Sequence, residues 1–182
     1  MKSAKYLFSV TLSVLKTESL SQIPERIRAL YLNSVPDKER IPFGNLDRTF
    51  GRGGELLSFS DGDEFVGFCY SFEHSGLVFL VYIATEPSLR GRGYGREILD
   101  ILRSRKTGRT VFLVLEGSDS DDPLDMRVRR KAFYERCGCR DTGVRLLSDD
   151  VYFDSMFVLG SCPVDRLQTA VDYYEDVHNG RI

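Results

Sequence analysis

One stretch of the chain decides its fold, and it reads Arg90-Gly91-Arg92-Gly93-Tyr94-Gly95. Residues 77–84 before it form a nearly unbroken apolar run, which is typical of a strand buried on both faces. Residues 96–103 after it carry one apolar stripe at helical spacing. A glycine-rich turn that enters a helix leaves several backbone N–H groups free, and the helix dipole adds partial positive charge there. The sequence therefore predicts a phosphate or pyrophosphate site at this junction.

The spacing of the glycines distinguishes this loop from other phosphate-binding loops. A dinucleotide-binding loop needs Gly-x-Gly-x-x-Gly, but here position 96 is arginine. The Gly-Lys-Ser/Thr ending of nucleoside-triphosphate loops does not occur in the chain. The pattern that remains is Arg-x-x-Gly-x-Gly, and a glycine-rich surface turn without a ligand is the alternative interpretation.

A second strand and a second helix follow the loop. Residues 110–117 form another apolar strand, after a helix that stops near Gly108. An acidic loop over 118–125 then leads into a basic segment, which ends in Arg130-Lys131-Ala132-Phe133-Tyr134-Glu135-Arg136-Cys137-Gly138. The chain thus alternates strand and helix around two short motifs, which favours an α/β fold.

The two motifs together resemble the GNAT acyltransferase superfamily, in the form of a small, bacterial-type member. Residues 86–95 resemble its acyl-coenzyme-A pyrophosphate loop, and residues 130–138 resemble its later helix, in the same order. The family usually has an aromatic residue after the glycine of that helix, where this chain has Cys139, so one packing contact differs. The resemblance covers roughly residues 55–160.

The resemblance implies a single α/β (α+β) domain over residues 1–182, with a mixed central sheet of about six or seven strands and flanking helices. In the family, two central parallel strands splay apart and the pantetheine arm lies between them. The matching strands are 77–84 and 110–117. The cofactor-binding core would span about 55–160, with accessory elements at 5–50 and 163–177.

The residue patterns predict the remaining elements. Residues 6–15 alternate apolar residues with serine and threonine, and no small-residue cleavage site follows, so a strand is favoured over a secretory leader. Apolar spacing predicts a helix over 19–32 and a short helix over 43–50. The other predicted elements are a hairpin of strands 56–59 and 64–72 around an Asp61-Gly62 turn, strands 140–147 and 151–159, and a final helix that opens at Pro163.

The resemblance also assigns candidate site residues. The residues expected to hold acetyl-coenzyme A are Tyr82, Ile83, Ala84, Arg90, Gly91, Arg92, Gly93, Tyr94, Gly95, Arg96 and Arg130. Tyr134 matches the family tyrosine that protonates the leaving thiolate, with a core aromatic as the alternative interpretation. Glu116 is the best candidate for the base that accepts the amine proton, because it ends an apolar strand beside the splay. The alternative interpretation is that Glu116 is an exposed residue at the end of a strand, without a catalytic role. Weaker candidates for the base are Glu86, Glu73 and His74.

Composition restricts the classes of partner. The 182 residues carry a net charge of −2, without the basic patch of a nucleic-acid surface. No stretch approaches the ~20 apolar residues of a membrane span. The four cysteines and two histidines do not fall at metal-ligand spacing, so no metal site is predicted and a reduced, cytoplasmic setting fits best.

The sequence thus predicts an acyl-coenzyme-A-dependent N-acyltransferase that moves an acetyl group directly to a primary amine, since no residue is a convincing covalent nucleophile. A non-catalytic acyl-coenzyme-A-binding regulatory module is the main alternative, and a nucleotide-binding protein is a third. The acidic run 118–122 would attract a cationic acceptor such as a polyamine, an aminoglycoside or a lysine-containing peptide, or would simply keep its loop soluble. Whether the protein forms a homodimer is left open.

Overall fold

Seven strands and five α-helices make up the part of the chain that the computed structural model describes, which is residues 11–118, 120, 122–148 and 150–182. The strands are β1 (Ser13–Thr17), β2 (Gly54–Asp61), β3 (Glu64–His74), β4 (Leu77–Thr85), β5 (Thr110–Leu115), β6 (Arg140–Ser148) and β7 (Val151–Leu159). The helices are α1 (Glu25–Ser34), α2 (Phe43–Asp47), α3 (Tyr94–Arg105), α4 (Met126–Arg136) and α5 (Val164–His178). Short 3-10 turns lie at Leu20–Gln22, Asp37–Glu39 and Pro87–Leu89.

The strands form one mixed sheet in the order β1-β2-β3-β4-β5-β7-β6, in which β4 and β5 are parallel. These two strands pair only from Leu77–Thr110 to Leu80–Leu113. Beyond that point β4 stays paired with β3, and β5 stays paired with β7. The sheet therefore splits between its two central strands, which confirms the predicted fold class and the predicted splay.

A β-bulge lies where β4 leaves β5. In the pairing with β3, Tyr70 faces Tyr82 and Ser71 faces Leu80, so Val81 has no residue opposite. A bulge bends and twists its strand, and this bend turns the far end of β4 away from β5. The bulge also places Val81 and Tyr82 on the same face of the sheet, against one buried cluster, although neighbours in a regular strand face opposite ways.

Helices cover both faces of the sheet. Helices α1, α2 and α5 pack on one face over a cluster rich in aromatic residues, including Tyr31, Phe79 and Tyr174. Helices α3 and α4 pack on the other face over a mainly aliphatic cluster that includes Ile98 and Leu102. No described helix is long and apolar enough to cross a lipid bilayer.

Several predicted boundaries are wrong. The helix predicted over 19–32 begins at Glu25, because Pro24 is extended, with ψ of 147°, and proline disfavours a helical residue before it. The strand predicted over 110–117 ends at Leu115, so Glu116 lies in the following loop. The hairpin turn consists of positions 62 and 63, because Asp61 still pairs with Glu64. Of the predicted N-terminal strand, residues 6–10 lie outside the described residues, and β1 begins at Ser13.

Candidate active site

The glycine-rich stretch forms the turn from β4 into α3. Gly91 and Gly93 have positive φ angles of 78° and 94°, and Gly93 is the N-cap of the helix. Within the described residues, the N–H groups from Gly91 to Gly95 have no backbone acceptor, and the first helical bonds run from Arg96 and Glu97 to the Gly93 carbonyl. These N–H groups lie at the positive end of the helix dipole, where an anion is favoured.

The glycines serve two different purposes. A Cβ at Gly91 or Gly93 would meet no protein atom within 4 Å, so these two residues supply a left-handed backbone beside open space. A Cβ at Gly95 would lie 2.9 Å from the Phe133 ring, so this glycine lets α4 pack closely on α3. The loop is thus open on the side where its first two glycines lie.

A cleft of about 710 Å³ extends from this loop between α3 and α4. Its volume is in the usual range of small-molecule sites. Residues 83–85, on the part of β4 that has left β5, form one of its walls. The anion-binding loop and the splay therefore face the same space.

The arginines that line this cleft, among the described residues, are Arg90, Arg129, Arg130 and Arg136. The cleft thus contains two of the predicted arginines. Arg92 and Arg96 are exposed, and the Arg96 guanidinium donates a hydrogen bond to the Arg136 carbonyl.

Sequence reasoning missed several cleft residues on α4. They lie at spacings of three and four from one another or from the predicted Arg130, on the same face of the helix: Met126, Arg129, Phe133 and Arg136. Residues three and four positions apart lie on the same face of a helix, so the sequence spacing from Arg130 could have identified them. The missed residues give the cleft two further positive charges and an aromatic wall.

Tyr94 connects the loop to the β2–β3 hairpin. Its hydroxyl donates a hydrogen bond of 2.7 Å to Asp61 Oδ2, and this bond raises the pKa of the phenol. Its side chain also lines the cleft beside Gly95. The contact holds the start of α3 against the antiparallel half of the sheet.

Tyr134 lies on α4 behind the wall of the cleft. Its ring is buried in the same cluster as Ile98 and Leu115, and it is not one of the residues that line the cleft. Burial raises the pKa of the phenol to about 12. Like any tyrosine it carries its proton at neutral pH, as a general acid must, and its assignment as that acid stays a prediction.

Glu116 directly follows the last residue of β5 and is not among the residues that line the 710 Å³ cleft. It lines a neighbouring charged cavity of about 230 Å³ together with Arg127, Lys131 and Asp154, and this cavity shares Val128 and Ala132 with the cleft. The nearest oxygen of its carboxylate is 3.9 Å from Arg127 Nη1. Its assignment as the base stays a prediction, which would require a path from this cavity to the reacting amine.

A smaller cavity of about 130 Å³ lies on the opposite face of the splay, beside α5. Val81 and Tyr82 of β4 and Val114 and Leu115 of β5 line it, so it meets the same gap between the strands. The side chain of Tyr82 is on this face, and only its backbone belongs to the edge of β4 that has left β5. The predicted contact of Tyr82 with the cofactor therefore concerns its backbone.

The acidic run 118–122 is only partly described, because residues 119 and 121 lie outside the described residues. Asp122 accepts a hydrogen bond from the Leu124 N–H, and nearby Asp125 caps α4 by accepting one from the Arg127 N–H. The Arg127 guanidinium holds the pKa of the Asp125 carboxyl well below its usual range. These contacts organise the loop that precedes α4.

The four cysteines are free thiols. Burial raises the pKa of Cys69 to about 12 and that of Cys139 to about 11, which leaves both protonated at neutral pH. Cys139, at the position where the family has an aromatic residue, is buried against Arg103. Within the described part of the chain, no group of three or more histidine, cysteine or acidic side chains has the arrangement of a metal site.

Comparisons with known proteins agree with this geometry. Residues 52–139 match the family model of the GNAT acetyltransferase domain. No curated protein sequence matches the chain. The family match covers the hairpin, the splayed strands, the glycine-rich loop and α4.

Solved structures share the fold at low sequence identity. A GNAT-family protein from Bacteroides thetaiotaomicron has a TM-score of 0.68 at 20% identity, over 93% of this chain and 95% of that one. A Bacillus subtilis acetyltransferase in complex with coenzyme A has a TM-score of 0.55 at 21% identity, over 81% and 95%. A GNAT acetyltransferase from Elizabethkingia anophelis with bound acetyl-coenzyme A has a TM-score of 0.52 at 14% identity, over 80% and 94%.

Proposed function

Because the chain belongs to the GNAT superfamily, we propose that it is an acyl-coenzyme-A-dependent N-acyltransferase, which moves an acetyl group from acetyl-coenzyme A directly to a primary amine. One observation carries this proposal: the free N–H groups at the start of α3 and the splayed end of β4 line a single cleft. The first feature suits a pyrophosphate and the second suits a chain of amides. Both features occur together in acyl-coenzyme A.

The loop and the arginines suit the phosphate end. Backbone N–H groups from Gly91 to Gly95 would donate to the pyrophosphate, and the helix dipole would add to the attraction. Arg90 and Arg130 would pair with phosphate oxygens, and Arg129 and Arg136 lie on the same wall. The cleft thereby fixes one end of the molecule at the first turn of α3.

The splayed strand suits the other end. The backbone pairing of β4 with β5 ends at Leu80. Beyond that residue, the backbone N–H and C=O groups on the β5 side of β4 have no partner strand among the described residues. A pantetheine arm would add to this edge as a short strand does, with its amides bonded to the backbone at residues 83–85. A backbone N–H at Ile83 or Ala84 would then polarise the acyl carbonyl, which supplies the electrophile of the reaction.

Proton transfer is the remaining requirement. The amine must lose a proton before it attacks, and the departing thiolate must gain one. A phenol is protonated at neutral pH, and burial raises the pKa of Tyr134 further, to about 12, so its hydroxyl can supply this second proton. Glu116 stays the sequence-based candidate for the first role.

Calorimetry with acetyl-coenzyme A, followed by thiol release with a panel of amines, tests the proposal. We expect micromolar binding of acetyl-coenzyme A, weaker binding of ATP and NAD, and thiol release with at least one amine. Lack of acetyl-coenzyme A binding would overturn the proposal. Tight binding without thiol release from any amine would favour a regulatory binding module instead.

A further inference from the structure

We propose that the 130 Å³ cavity on the opposite face of the splay is the acceptor site, that Glu39 binds and deprotonates the ammonium group there, and that the acceptor is a small primary amine with an apolar body. This inference rests on the proposed function and names the substrate class of the same site. It also moves the role of the base from Glu116 to a residue that the sequence patterns did not single out.

The size and walls of the cavity restrict the acceptor. An engineered cavity of about 150 Å³ holds one benzene molecule, so a cavity of this size admits a body of about one ring. Its apolar lining comes from both sides of the splay: Ile41, Phe79, Val81, Val114, Val151 and Phe153. Within the described residues, the polar part of its lining consists of Glu39, Arg40, Tyr82, Ser148, Tyr174 and His178. A polyamine or an aminoglycoside carries several positive charges, and this lining offers one carboxylate to pair with them, so the remaining charges would be desolvated without a partner.

Glu39 supplies the negative charge that an ammonium group needs. Among the described residues that line the cavity, it is the only carboxylate, and its side chain is only 19% exposed. The cation on the same wall, Arg40, is directed to other partners: its guanidinium pairs with Asp37 and donates to the Val35 carbonyl. A protonated amine in the cavity therefore meets Glu39 as its counter-charge.

Tyrosines hold the Glu39 segment on the splayed strand. Tyr82 donates a hydrogen bond of 2.8 Å to the Glu39 carbonyl. Two residues later, the Ile41 N–H donates to the Tyr31 hydroxyl at 2.8 Å, and that hydroxyl donates to the Ile41 carbonyl at 2.9 Å. Because the bulge at Val81 brings Tyr82 to this face, the same distortion that opens the splay also positions Glu39.

The carboxylate lies at the boundary between the two spaces. Its Oε2 atom is 3.8 Å from Nη1 of Arg130, and Arg130 lines the cofactor cleft. An amine bound to Glu39 is thus near the gap between β4 and β5, through which it must reach the acetyl group.

The proposed step balances in protons and electrons. Glu39 takes one proton from the ammonium group, and the nitrogen lone pair forms the C–N bond to the acetyl carbon as the C–S bond breaks. The nitrogen loses a second proton after the new bond forms. One of the two protons goes to solvent and the other restores Tyr134, which has protonated the departing thiolate. The products are an N-acetyl amide, the coenzyme thiol and one proton.

The test uses thiol release at saturating acetyl-coenzyme A with benzylamine, spermidine, kanamycin A and a lysine-containing tripeptide. We expect kcat/KM for benzylamine to exceed that for each other amine at least tenfold. Glu39→Gln should lower kcat/KM for benzylamine at least a hundredfold, while acetyl-coenzyme A affinity, measured by calorimetry, stays unchanged. Activity of this variant should partly recover at high pH, where free amine becomes available without a base. A merely structural role would not produce that recovery.

Glu25→Gln is the matched control, since Glu25 is an exposed carboxylate at the start of α1 outside the cavity, and we expect it to behave as wild type. Preference for spermidine, kanamycin A or the peptide would overturn the inference and leave the proposed function intact. Loss of activity in Glu116→Gln with full activity in Glu39→Gln would do the same. Failure to bind acetyl-coenzyme A, or to acetylate any amine, would instead overturn the proposed function, and the inference with it.

Discussion

Gly93→Ala is expected to weaken acetyl-coenzyme A binding far more than it weakens the fold. Gly93 has φ of 94°, and a Cβ there would meet no protein atom within 4 Å. The substitution therefore destabilises the fold only through the strain of an alanine in the left-handed region. That strain costs about 1–2 kcal/mol. For a chain of 182 residues it corresponds to a fall in Tm of about 2–8 °C.

Gly108→Ala provides a control with the same backbone penalty. Gly108 follows the C-terminus of α3 with φ of 80°, and a Cβ there would also meet nothing within 4 Å. The 12 residues of α3 separate it from the loop by about 18 Å. The two variants should therefore melt at similar temperatures.

Ligand affinity should separate the two variants. The methyl group of Gly93→Ala would enter the open space where loop N–H groups approach phosphate oxygens. Loss of one hydrogen bond to a charged group costs about 1.5–3 kcal/mol, which corresponds to a Kd about 10–150-fold weaker. Thermal melts and calorimetry with acetyl-coenzyme A measure both quantities. Wild-type affinity in Gly93→Ala, or an equal loss in Gly108→Ala, would refute the assignment of the loop.

Three further predictions concern stability and turnover. Tyr134→Phe should lower kcat with unchanged acetyl-coenzyme A affinity. Burial raises the pKa of the Tyr134 phenol from 10.0 to about 12, so its contribution to the free energy of unfolding is fully present below pH 10 and is lost as the pH rises to 12. In denaturant titrations between pH 10 and 12, the free energy of unfolding of the wild type should therefore fall by about 2–3 kcal/mol more than that of the variant. Lys106→Met should destabilise the fold by about 3 kcal/mol, because it leaves the largely buried Glu55 carboxylate without the Lys106 ammonium, whereas Glu73 keeps its hydrogen bond from Arg109; acetyl-coenzyme A affinity measured on the folded fraction should not change. Tyr82→Phe should lower the free energy of unfolding by about 1 kcal/mol, because it removes the hydrogen bond to the Glu39 carbonyl. It should also raise the KM for the amine but not the KM for acetyl-coenzyme A. The opposite pattern in the two KM values would argue against a role of Tyr82 in anchoring the acceptor face.

The elements that sequence reasoning predicted well are those with strong local signals. Strand β4 is a continuous apolar run, and β4 and β5 need apolar residues on both faces because helices cover both sides of the sheet. The turn into α3 required positive φ angles that glycine adopts readily, so Gly91 and Gly93 mark it in the sequence. These two signals were enough for the fold class and for the position of the loop that opens onto the 710 Å³ cleft.

The features that were missed depend on pairing rather than on local composition. No residue type in the sequence marks the bulge at Val81, because valine is also common in regular strands. The bulge nevertheless reverses the face of the sheet on which Tyr82 lies. Glu39 lies in a polar segment without periodicity, and tertiary hydrogen bonds of this segment with Tyr82 and Tyr31 bring it to the splay. The strand end at Leu115 likewise follows from pairing with β7, and it moved Glu116 from the splay into a loop.

The positions of the two cavities bear on the choice between direct transfer and an acyl-enzyme. An acyl-enzyme would need a nucleophile within reach of the splay, and Cys69, the cysteine nearest to it in the register of the sheet, lies opposite Ile83. Burial raises its pKa to about 12, so a negligible fraction of this thiol is ionised at neutral pH. The 3.8 Å contact between Arg130 of the cofactor cleft and Glu39 of the acceptor cavity leaves little distance for an intermediate carrier to span. A single transfer across the gap between β4 and β5 is therefore the simpler chemistry for this arrangement of residues.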